Sequence, residues 1–197
     1  MTKTARPAVF LDRDGTLNVE IGYIRDVDDL RLIDGAAEAV KRLNEANLAA
    51  ILVTNQSGAA RGFYPERHIQ DLNQRLLDLL KAGGAYLDAV YYCPHHPEAV
   101  VKELAGPCSC RKPEVGMLER AFSEFELDRK RSFVVGDKAT DVELARNAGI
   151  YGILVRTGYG DAVVKGEYQH PVEPDFDAPS IAEAVDWILA QVALVSG

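Results

Sequence analysis

Short apolar runs alternate along the chain with segments in which apolar positions recur every three or four residues. A short continuous apolar run is typical of a strand that is buried on both faces, as in a parallel sheet. Such runs predict strands at residues 8–11, 48–53, 87–92, 132–135 and 151–155.

The segments between these strands have the periodicity of amphipathic helices. The helices are predicted over residues 36–43, 65–80, 117–125, 140–148 and 181–189. Residues that begin or end helices flank them, namely Asp34, Pro65, the capping-box pairs Thr140–Glu143 and Ser180–Glu183, and Gly149. The alternation predicts an α/β fold with a doubly wound, mostly parallel sheet and helices on both faces. We find no repeat, low-complexity tract or linker, so one domain over residues 1–197 is expected.

Composition excludes several classes of protein. Of the 197 residues, 47% are hydrophobic, but no apolar run approaches the roughly 20 residues of a membrane-spanning helix. The net charge of −8 disfavours general nucleic-acid binding. The N-terminal segment up to Gly15 runs from a short apolar patch straight into charges, unlike a signal peptide. The three cysteines, an odd number, argue against a disulfide framework and predict a cytoplasmic protein. We expect a monomer without nucleic-acid or membrane partners.

Polar clusters lie where an open α/β sheet binds its ligand, beyond the carboxyl ends of the strands. They are residues 12–16 after the first strand, 54–58 after the second, 111–113 before a helix, and 136–138 after a later strand. One such cluster could be an ordinary turn. Four clusters in this order predict a ligand site.

The residue types in these clusters suit phosphoryl transfer to an aspartate. Asp12 and Asp14 are two residues apart, so an extended backbone places both carboxylates on one side. A divalent cation relieves their repulsion, and Asp137 adds a third carboxylate, which is typical of oxygen-coordinated Mg²⁺. Thr54 offers a hydroxyl to phosphate oxygens, and Lys112 offers a compact charge for the developing phosphoryl charge.

The DxDGT pattern at residues 12–16, with Thr54, Lys112 and Gly136-Asp137, resembles the four motifs of the haloacid dehalogenase-like phosphatases. The resemblance covers nearly the whole chain. It implies a Rossmann-like fold with a minimal cap.

The same resemblance implies roles for these residues. Asp12 is expected to be the nucleophile and Asp14 the general acid and base. Thr54 and Lys112 are expected to hold the transferring phosphoryl group. The implied Mg²⁺ ligands are Asp12, the backbone carbonyl of Asp14, and Asp137. Asp141 is expected to orient Lys138 or Lys112 rather than to bind the metal.

The three cysteines lie in one segment, residues 93–110, and predict a second metal site. Its ligands form two pairs with matching spacing, Cys93 with His95 and Cys108 with Cys110. Four sulfur and nitrogen ligands fit a closed tetrahedral Zn²⁺ site, which is structural because no ligand position stays open. His96 is the rival of His95, and the symmetry of the pairs favours His95. Such a site would place Arg111 and Lys112, which follow directly, at the active site.

The zinc loop within this motif set resembles two branches of the family, which act on heptose 1,7-bisphosphate and on histidinol phosphate. Ser57 and the stretch Ala60-Arg61-Gly62 favour the heptose branch, because the histidinol branch usually has aspartate at the first position and lacks the second stretch. The residues expected to contact a sugar bisphosphate are Asn18, Asn55, Gln56, Ser57, Arg61, Arg111 and Lys138. The alternatives are a solvated loop cation for Arg61 and an ion pair with Asp141 for Lys138. His68 and His170 are expected to be ordinary surface histidines.

The resemblance therefore implies a Mg²⁺-dependent phosphomonoesterase. It would remove the C7 phosphate of heptose 1,7-bisphosphate through an aspartyl-phosphate, on the route to nucleotide-activated heptose. Histidinol phosphate is the alternative substrate. A zinc-dependent nucleic-acid-binding module is a remote alternative of a different class, which the charge of −8 disfavours.

Overall fold

The computed structural model describes residues 5–195 of the chain. Residues 1–4, at the start of the segment judged unlike a signal peptide, and residues 196–197 lie outside the described part. The strands are β1 (Arg6–Leu11), β2 (Ala49–Asn55), β3 (Ala89–Cys93), β4 (Leu127–Gly136), β5 (Tyr151–Val155) and β6 (Phe176–Ala178). The α-helices are α1 (Ala36–Glu45), α2 (Glu66–Ala82), α3 (Gly116–Glu124), α4 (Ala139–Ala148), α5 (Gly160–Val164) and α6 (Ile181–Val195). Short 3₁₀ helices lie at Val27–Asp29 and Lys102–Leu104.

The six strands are parallel and lie in the order β3-β2-β1-β4-β5-β6. The chain order reverses beside β1, because β2 and β3 lie on one side of it and β4 to β6 on the other. A sheet of this topology opens a crevice at the carboxyl end of the strand where the order reverses. The predicted doubly wound parallel sheet is confirmed, and the crevice opens directly after Leu11.

Alternate residues of each strand face opposite layers of helices. Val9 and Leu11 pack in one hydrophobic cluster with α1, α2 and α6. Ala8 and Phe10 pack in a second cluster with α3 and α4. All four side chains are completely buried. Because both faces are covered, polar groups reach the surface of the sheet only at the strand ends.

The capping residues predicted for two helix starts are wrong. The N-cap of α1 is Gly35, which has a φ of 81° and makes no side-chain cap bond, so Asp34 does not cap this helix. The helix α4 begins at Ala139, and Asp141 rather than Glu143 accepts a hydrogen bond from the N-cap backbone. Asp141 therefore serves as the third residue of α4, in the buried first turn that faces the crevice.

The predicted end of α4 and the predicted cap of α6 are confirmed, whereas two short elements were not predicted. Gly149 ends α4 with a φ of 69°, and Ser180 Oγ accepts from the N–H of Ala182 at 3.1 Å to cap α6. The elements α5 and β6 are too short to show periodicity. None of the described helices is both long enough and apolar enough to cross a membrane.

Candidate active site

Asp12 stands at the carboxyl end of β1, at the bottom of the crevice. Its N–H donates to Val135 O of the neighbouring strand β4 at 2.9 Å, so the strand pairing sets its position. The chain then turns tightly, because the N–H groups of Leu17 and Asn18 donate to Arg13 O at 2.9 and 3.0 Å. The turn folds over the strand end and leaves Asp12 only 3% exposed.

Lys112 reaches Asp12 from the loop before α3. Its Nζ atom lies 2.8 Å from Asp12 Oδ1 and 2.6 Å from Asp141 Oδ1, and it donates to Val53 O at 3.0 Å. Asn55 fixes the Lys112 backbone, because its Oδ1 accepts from Lys112 N at 3.0 Å and its Nδ2 donates to Lys112 O at 3.1 Å. The ammonium is therefore held between two buried carboxylates.

The Asp14 carboxylate turns toward side-chain donors. Arg13 Nη2 donates to Asp14 Oδ2 at 3.0 Å, Gln56 Nε2 donates to the same oxygen at 2.7 Å, and Asn18 Nδ2 donates to Oδ1 at 3.0 Å. Gln56 Nε2 also donates to Thr54 Oγ1 at 2.9 Å. These bonds fix the carboxyl of Asp14 beside the hydroxyl of Thr54.

Lys138 places its ammonium among the oxygens that the resemblance assigns to Mg²⁺. Its Nζ donates to Asp14 O at 3.1 Å and to Asp137 Oδ1 at 2.9 Å, and it lies 3.6 Å from Asp12 Oδ2. The ammonium occupies a position that would also suit a metal cation, because three oxygens of the kind that Mg²⁺ prefers converge on it. One carboxylate oxygen each of Asp12, Asp137 and Asp141 also lie within 4.8 Å of one another. This donor set fits a divalent cation.

Gly15 is the residue that lets Asp137 approach the first cluster. Gly15 has a φ of +84°, and a Cβ atom there would lie 2.1 Å from Asp137 Oδ2. The same oxygen accepts from Tyr159 N at 2.8 Å. Any larger side chain at Gly15 would displace the completely buried Asp137.

Burial raises the pKa values of these carboxyls, and neighbouring positive charges lower them. Burial would raise the pKa of Asp12, but Lys112 and Lys138 outweigh it and lower this pKa to about 2. For Asp137 burial prevails and raises the pKa to about 7. For Asp14, Arg13 and the amides bonded to it overcome burial and lower the pKa. Asp12 is therefore anionic, as a nucleophile must be.

The four predicted zinc ligands converge at the end of β3. Cys110 Sγ lies 3.0 Å from Cys93 Sγ, 3.5 Å from Cys108 Sγ and 3.3 Å from His95 Nδ1. Zn–S bonds of about 2.3 Å place the sulfurs of a tetrahedral site about 3.8 Å apart, so a zinc ion fits after a small expansion. Burial and the neighbouring thiol of Cys110 raise the pKa of Cys93. His96 lies outside this set and contacts Arg61, with 2.8 Å between Nε2 and Nη2.

A cavity of about 530 Å³ opens over Asp12. Thr54 and Lys112 line it together with the arginines Arg61 and Arg111. Arg111 Nη1 donates to His95 O at 3.0 Å, which ties this side chain to the segment of the predicted zinc ligands. The cavity therefore joins a buried carboxylate–lysine pair to further cations, among them these two arginines.

The residues predicted to contact substrate take different places. Ser57 and Lys138 line the cavity. Asn55 and Gln56 line it as well, although their side-chain amides already form hydrogen bonds with other groups of the protein. Asn18 corrects the prediction. It is completely buried, is not among the cavity-lining residues, and donates to Asp14 and to Val19 O, because the turn after Arg13 points it inward.

Two other expectations have clear outcomes. The Asp141 carboxylate forms an ion pair with Lys112, as an orienting role requires, and its Oδ2 accepts from the backbone N–H of Lys138, while the Lys138 ammonium pairs with Asp137 and Glu20. His68 is more than a surface histidine. Its Nε2 lies 2.9 Å from Ile24 O, and its ring packs 4.7 Å from that of Tyr64, so it ties the loop after Asp14 to α2.

Sequence reasoning missed several residues of the site, among them two tyrosines and an arginine. Tyr159 and Tyr168 line the cavity with stacked rings 4.0 Å apart, and Lys138 Nζ lies 5.4 Å from the centre of the Tyr159 ring. Tyr159 follows β5 closely, so the rule of strand ends could have found it. Arg13 lies inside the DxDGT pattern but received no role. Nothing in the local sequence indicates that its side chain turns inward.

Comparison with known families and structures supports the motif assignment. The profile of a family described as HAD-hydrolase-like matches residues 109–184. A D-glycero-D-manno-heptose-1,7-bisphosphate 7-phosphatase of Thermosynechococcus vestitus is 55% identical over 192 residues, covering 95% of this chain and 98% of the relative. A D-glycero-beta-D-manno-heptose-1,7-bisphosphate 7-phosphatase of Escherichia coli K12 is 39% identical over 188 residues, covering 95% and 90%.

A solved structure gives the same result for the fold. The D,D-heptose 1,7-bisphosphate phosphatase of B. bronchiseptica, solved with magnesium and phosphate, superposes with a TM-score of 0.82 at 28% identity. The match covers 94% of this chain and 99% of that one. The architecture described above is therefore shared over almost the full length of both chains.

Proposed function

The chain belongs to the haloacid dehalogenase-like phosphatases and is a sugar-phosphate phosphatase, and from this membership we propose that it removes the C7 phosphate of D-glycero-D-manno-heptose 1,7-bisphosphate. The product would keep its anomeric phosphate for later nucleotide activation.

One observation carries the choice of substrate. The same cavity is lined by the Asp12–Lys112 pair and by Arg61 and Arg111, which add positive charge beyond that of Lys112. A substrate with a second phosphate matches this additional positive charge. Histidinol phosphate carries one phosphate and a cationic amine, so the arginines would repel its far end. The charge of the cavity therefore favours the bisphosphate.

The proposed chemistry begins at Asp12, whose ionised carboxylate attacks phosphorus in line with the C7 oxygen. The bond from phosphorus to that oxygen breaks, an aspartyl-phosphate forms, and Asp14 gives its proton to the departing oxygen. The bound phosphate adds negative charge beside Asp14, which favours the protonated form that this step needs. Asp14 then takes a proton from the water that cleaves the aspartyl-phosphate. Lys112 and Thr54 hold the phosphoryl oxygens throughout.

We propose that Asp12, the backbone carbonyl of Asp14, and Asp137 hold Mg²⁺. Their oxygens converge on the ammonium of Lys138, which supports this assignment. When bound, the ion supplies positive charge that neutralises the phosphoryl oxygens. It would also keep Asp137 ionised despite the pKa of about 7 that burial gives this carboxyl.

We propose that zinc at the four-ligand cluster is structural. Four protein ligands complete a tetrahedral site and leave no position for substrate. The backbone carbonyl of His95, one of these ligands, accepts from Arg111 Nη1 at 3.0 Å. A metal that fixes His95 would therefore also fix the position of the Arg111 side chain. Three free cysteines that converge as ligands instead of forming disulfides suit a reducing, cytoplasmic compartment.

The test is phosphate release from a panel of sugar phosphates. The panel contains both anomers of the heptose bisphosphate and histidinol phosphate, and ³¹P NMR identifies which phosphate leaves. We expect kcat/KM for one heptose anomer to exceed that for histidinol phosphate by about a hundredfold or more, as two lost charge-assisted contacts would require. Preferential turnover of histidinol phosphate, or release of the anomeric phosphate, would contradict the proposal. The Asp12→Asn variant controls for contaminating phosphatases.

A further inference from the structure

Arg13 is the largest side chain that is fully buried among the described residues, with 1% exposure. Burying a guanidinium is unfavourable unless each donor finds a partner, and an apolar side chain in the same space would avoid that penalty. The proposed mechanism gives Arg13 no task. Its burial therefore calls for an explanation in terms of what it holds.

The guanidinium is directed mainly at Asp14. Its Nε and Nη2 lie 3.3 Å from Asp14 Oδ1, and Nη2 lies 3.0 Å from Asp14 Oδ2. This fork grips both oxygens of the carboxyl, so it defines the plane of that group as well as its position. A lysine could supply charge at this place but could not define a plane.

Two amides hold the guanidinium in turn. Arg13 Nη1 donates to Asn73 Oδ1 at 3.1 Å, and Nη2 donates to Gln56 Oε1 at 2.7 Å. Asn73 lies on α2 and is 5% exposed, among the apolar residues Leu72 and Leu76 of the buried face of that helix. A buried amide in an apolar helix face is itself unfavourable unless it is bonded. Its bond partner there is Arg13, so α2 contributes to the active site through this contact.

We propose that Arg13, held by Asn73 and Gln56, is a positioning residue that fixes the Asp14 carboxyl in the orientation from which it protonates the leaving oxygen. The inference rests on the proposed acid role of Asp14. When Asp14 gives up its proton, its carboxylate becomes negative, and the guanidinium already lies where it offsets that charge. The proton returns from the hydrolytic water in the second step, so Arg13 itself exchanges no proton.

The inference is tested by the dependence on the leaving group. A sugar alkoxide needs a proton to leave, whereas p-nitrophenolate departs without one. The kcat/KM value reports only the steps up to departure of the leaving group, so later hydrolysis of the aspartyl-phosphate does not affect it. The measurement is kcat/KM for heptose bisphosphate and for p-nitrophenyl phosphate, with the full chain in Mg²⁺.

In Arg13→Met, kcat/KM for heptose bisphosphate should fall about a hundredfold and that for p-nitrophenyl phosphate less than about threefold, in line with the usual share of general acid catalysis. Asn73→Leu preserves volume and Arg13 itself, and should show the same selectivity with a loss of about tenfold. It also tests the inference if Arg13→Met does not fold. Ser132→Ala is the matched control, because it removes bonds to Ala8 N and Asp128 O at the other end of the sheet. It should not change the ratio of the two kcat/KM values.

Asp14→Asn separates the two proposals. If Asp14→Asn lowers kcat/KM mainly for heptose bisphosphate, but Arg13→Met and Asn73→Leu lower it equally for both substrates or for neither, the positioning role is wrong and the acid role stands. If Asp14→Asn itself shows no selectivity, the acid role in the proposed function is wrong. Selectivity in all three variants supports both.

Discussion

Lys112 Nζ lies 2.6 Å from Asp141 Oδ1, and both side chains are almost completely buried. The same ammonium also pairs with Asp12, the proposed nucleophile, at 2.8 Å, so Lys112 lies between Asp12 and Asp141. The buried pair joins the first turn of α4 to the loop before α3. Its loss should affect both the stability of the fold and the position of Lys112.

Replacing Asp141 with Asn tests this relationship. The amide keeps the shape but loses the charge, so one buried positive charge is poorly compensated, and the free energy of unfolding should fall by about 3 kcal/mol. Urea unfolding measures it. Asp186→Asn is the control, because the Arg42–Asp186 pair is exposed and should contribute less than about 1 kcal/mol. Equal small changes in both variants would contradict the role given to Asp141.

Asp12→Asn should abolish turnover while the fold survives. An amide cannot attack phosphorus as a carboxylate does, so phosphate release should fall by about a thousandfold or more. Circular dichroism and thermal unfolding show whether the purified variant is folded. Release near the parent rate from a folded variant would overturn the assignment of the nucleophile.

The chain should carry about one equivalent of tightly bound zinc, since its four ligand atoms already converge. Elemental analysis after extensive dialysis measures this. Cys108→Ser should lose the metal and have a clearly lower melting temperature. Its turnover of p-nitrophenyl phosphate, measured where the variant is folded, should change little. Ser109→Ala changes the exposed neighbour of Cys108 and should keep the metal. A parent protein without zinc and with three titratable thiols would disprove the site.

Arg111→Ala should weaken discrimination for the bisphosphate. Loss of a charge-assisted contact should remove about 2–3 kcal/mol of transition-state stabilisation, and kcat/KM for heptose bisphosphate should fall accordingly. The value for p-nitrophenyl phosphate should change much less, because a small ester lacks a second phosphate. Arg129→Ala, which breaks an exposed pair with Glu119, is the control. An equal fall for both substrates would mean that Arg111 supports the phosphoryl site itself.

The local pattern of the chain was enough to predict the architecture. Continuous apolar runs predicted β1, β2, β4 and β5, because a strand covered on both faces must be apolar throughout. The starts of α1 and α4 were predicted to within one residue, but their capping residues were wrong, because a glycine or another residue of the first turn can serve where a side-chain cap was expected. The three-residue strand β6 has too few positions to show any pattern.

The sequence by itself determined which residues lie at the strand ends, and hence that Asp12, Thr54 and Asp137 meet at one edge of a parallel sheet. It also determined the cluster of Cys93, His95, Cys108 and Cys110, because the paired spacing of these candidate ligands is local information. Only the tertiary structure decided where the side chains turn. Asn18 points inward to Asp14, and Arg13 is buried against Asn73, which lies 60 residues away in the chain. These directions depend on how α2 packs over the turn after β1, and contacts between such distant segments leave no trace in the spacing of either one.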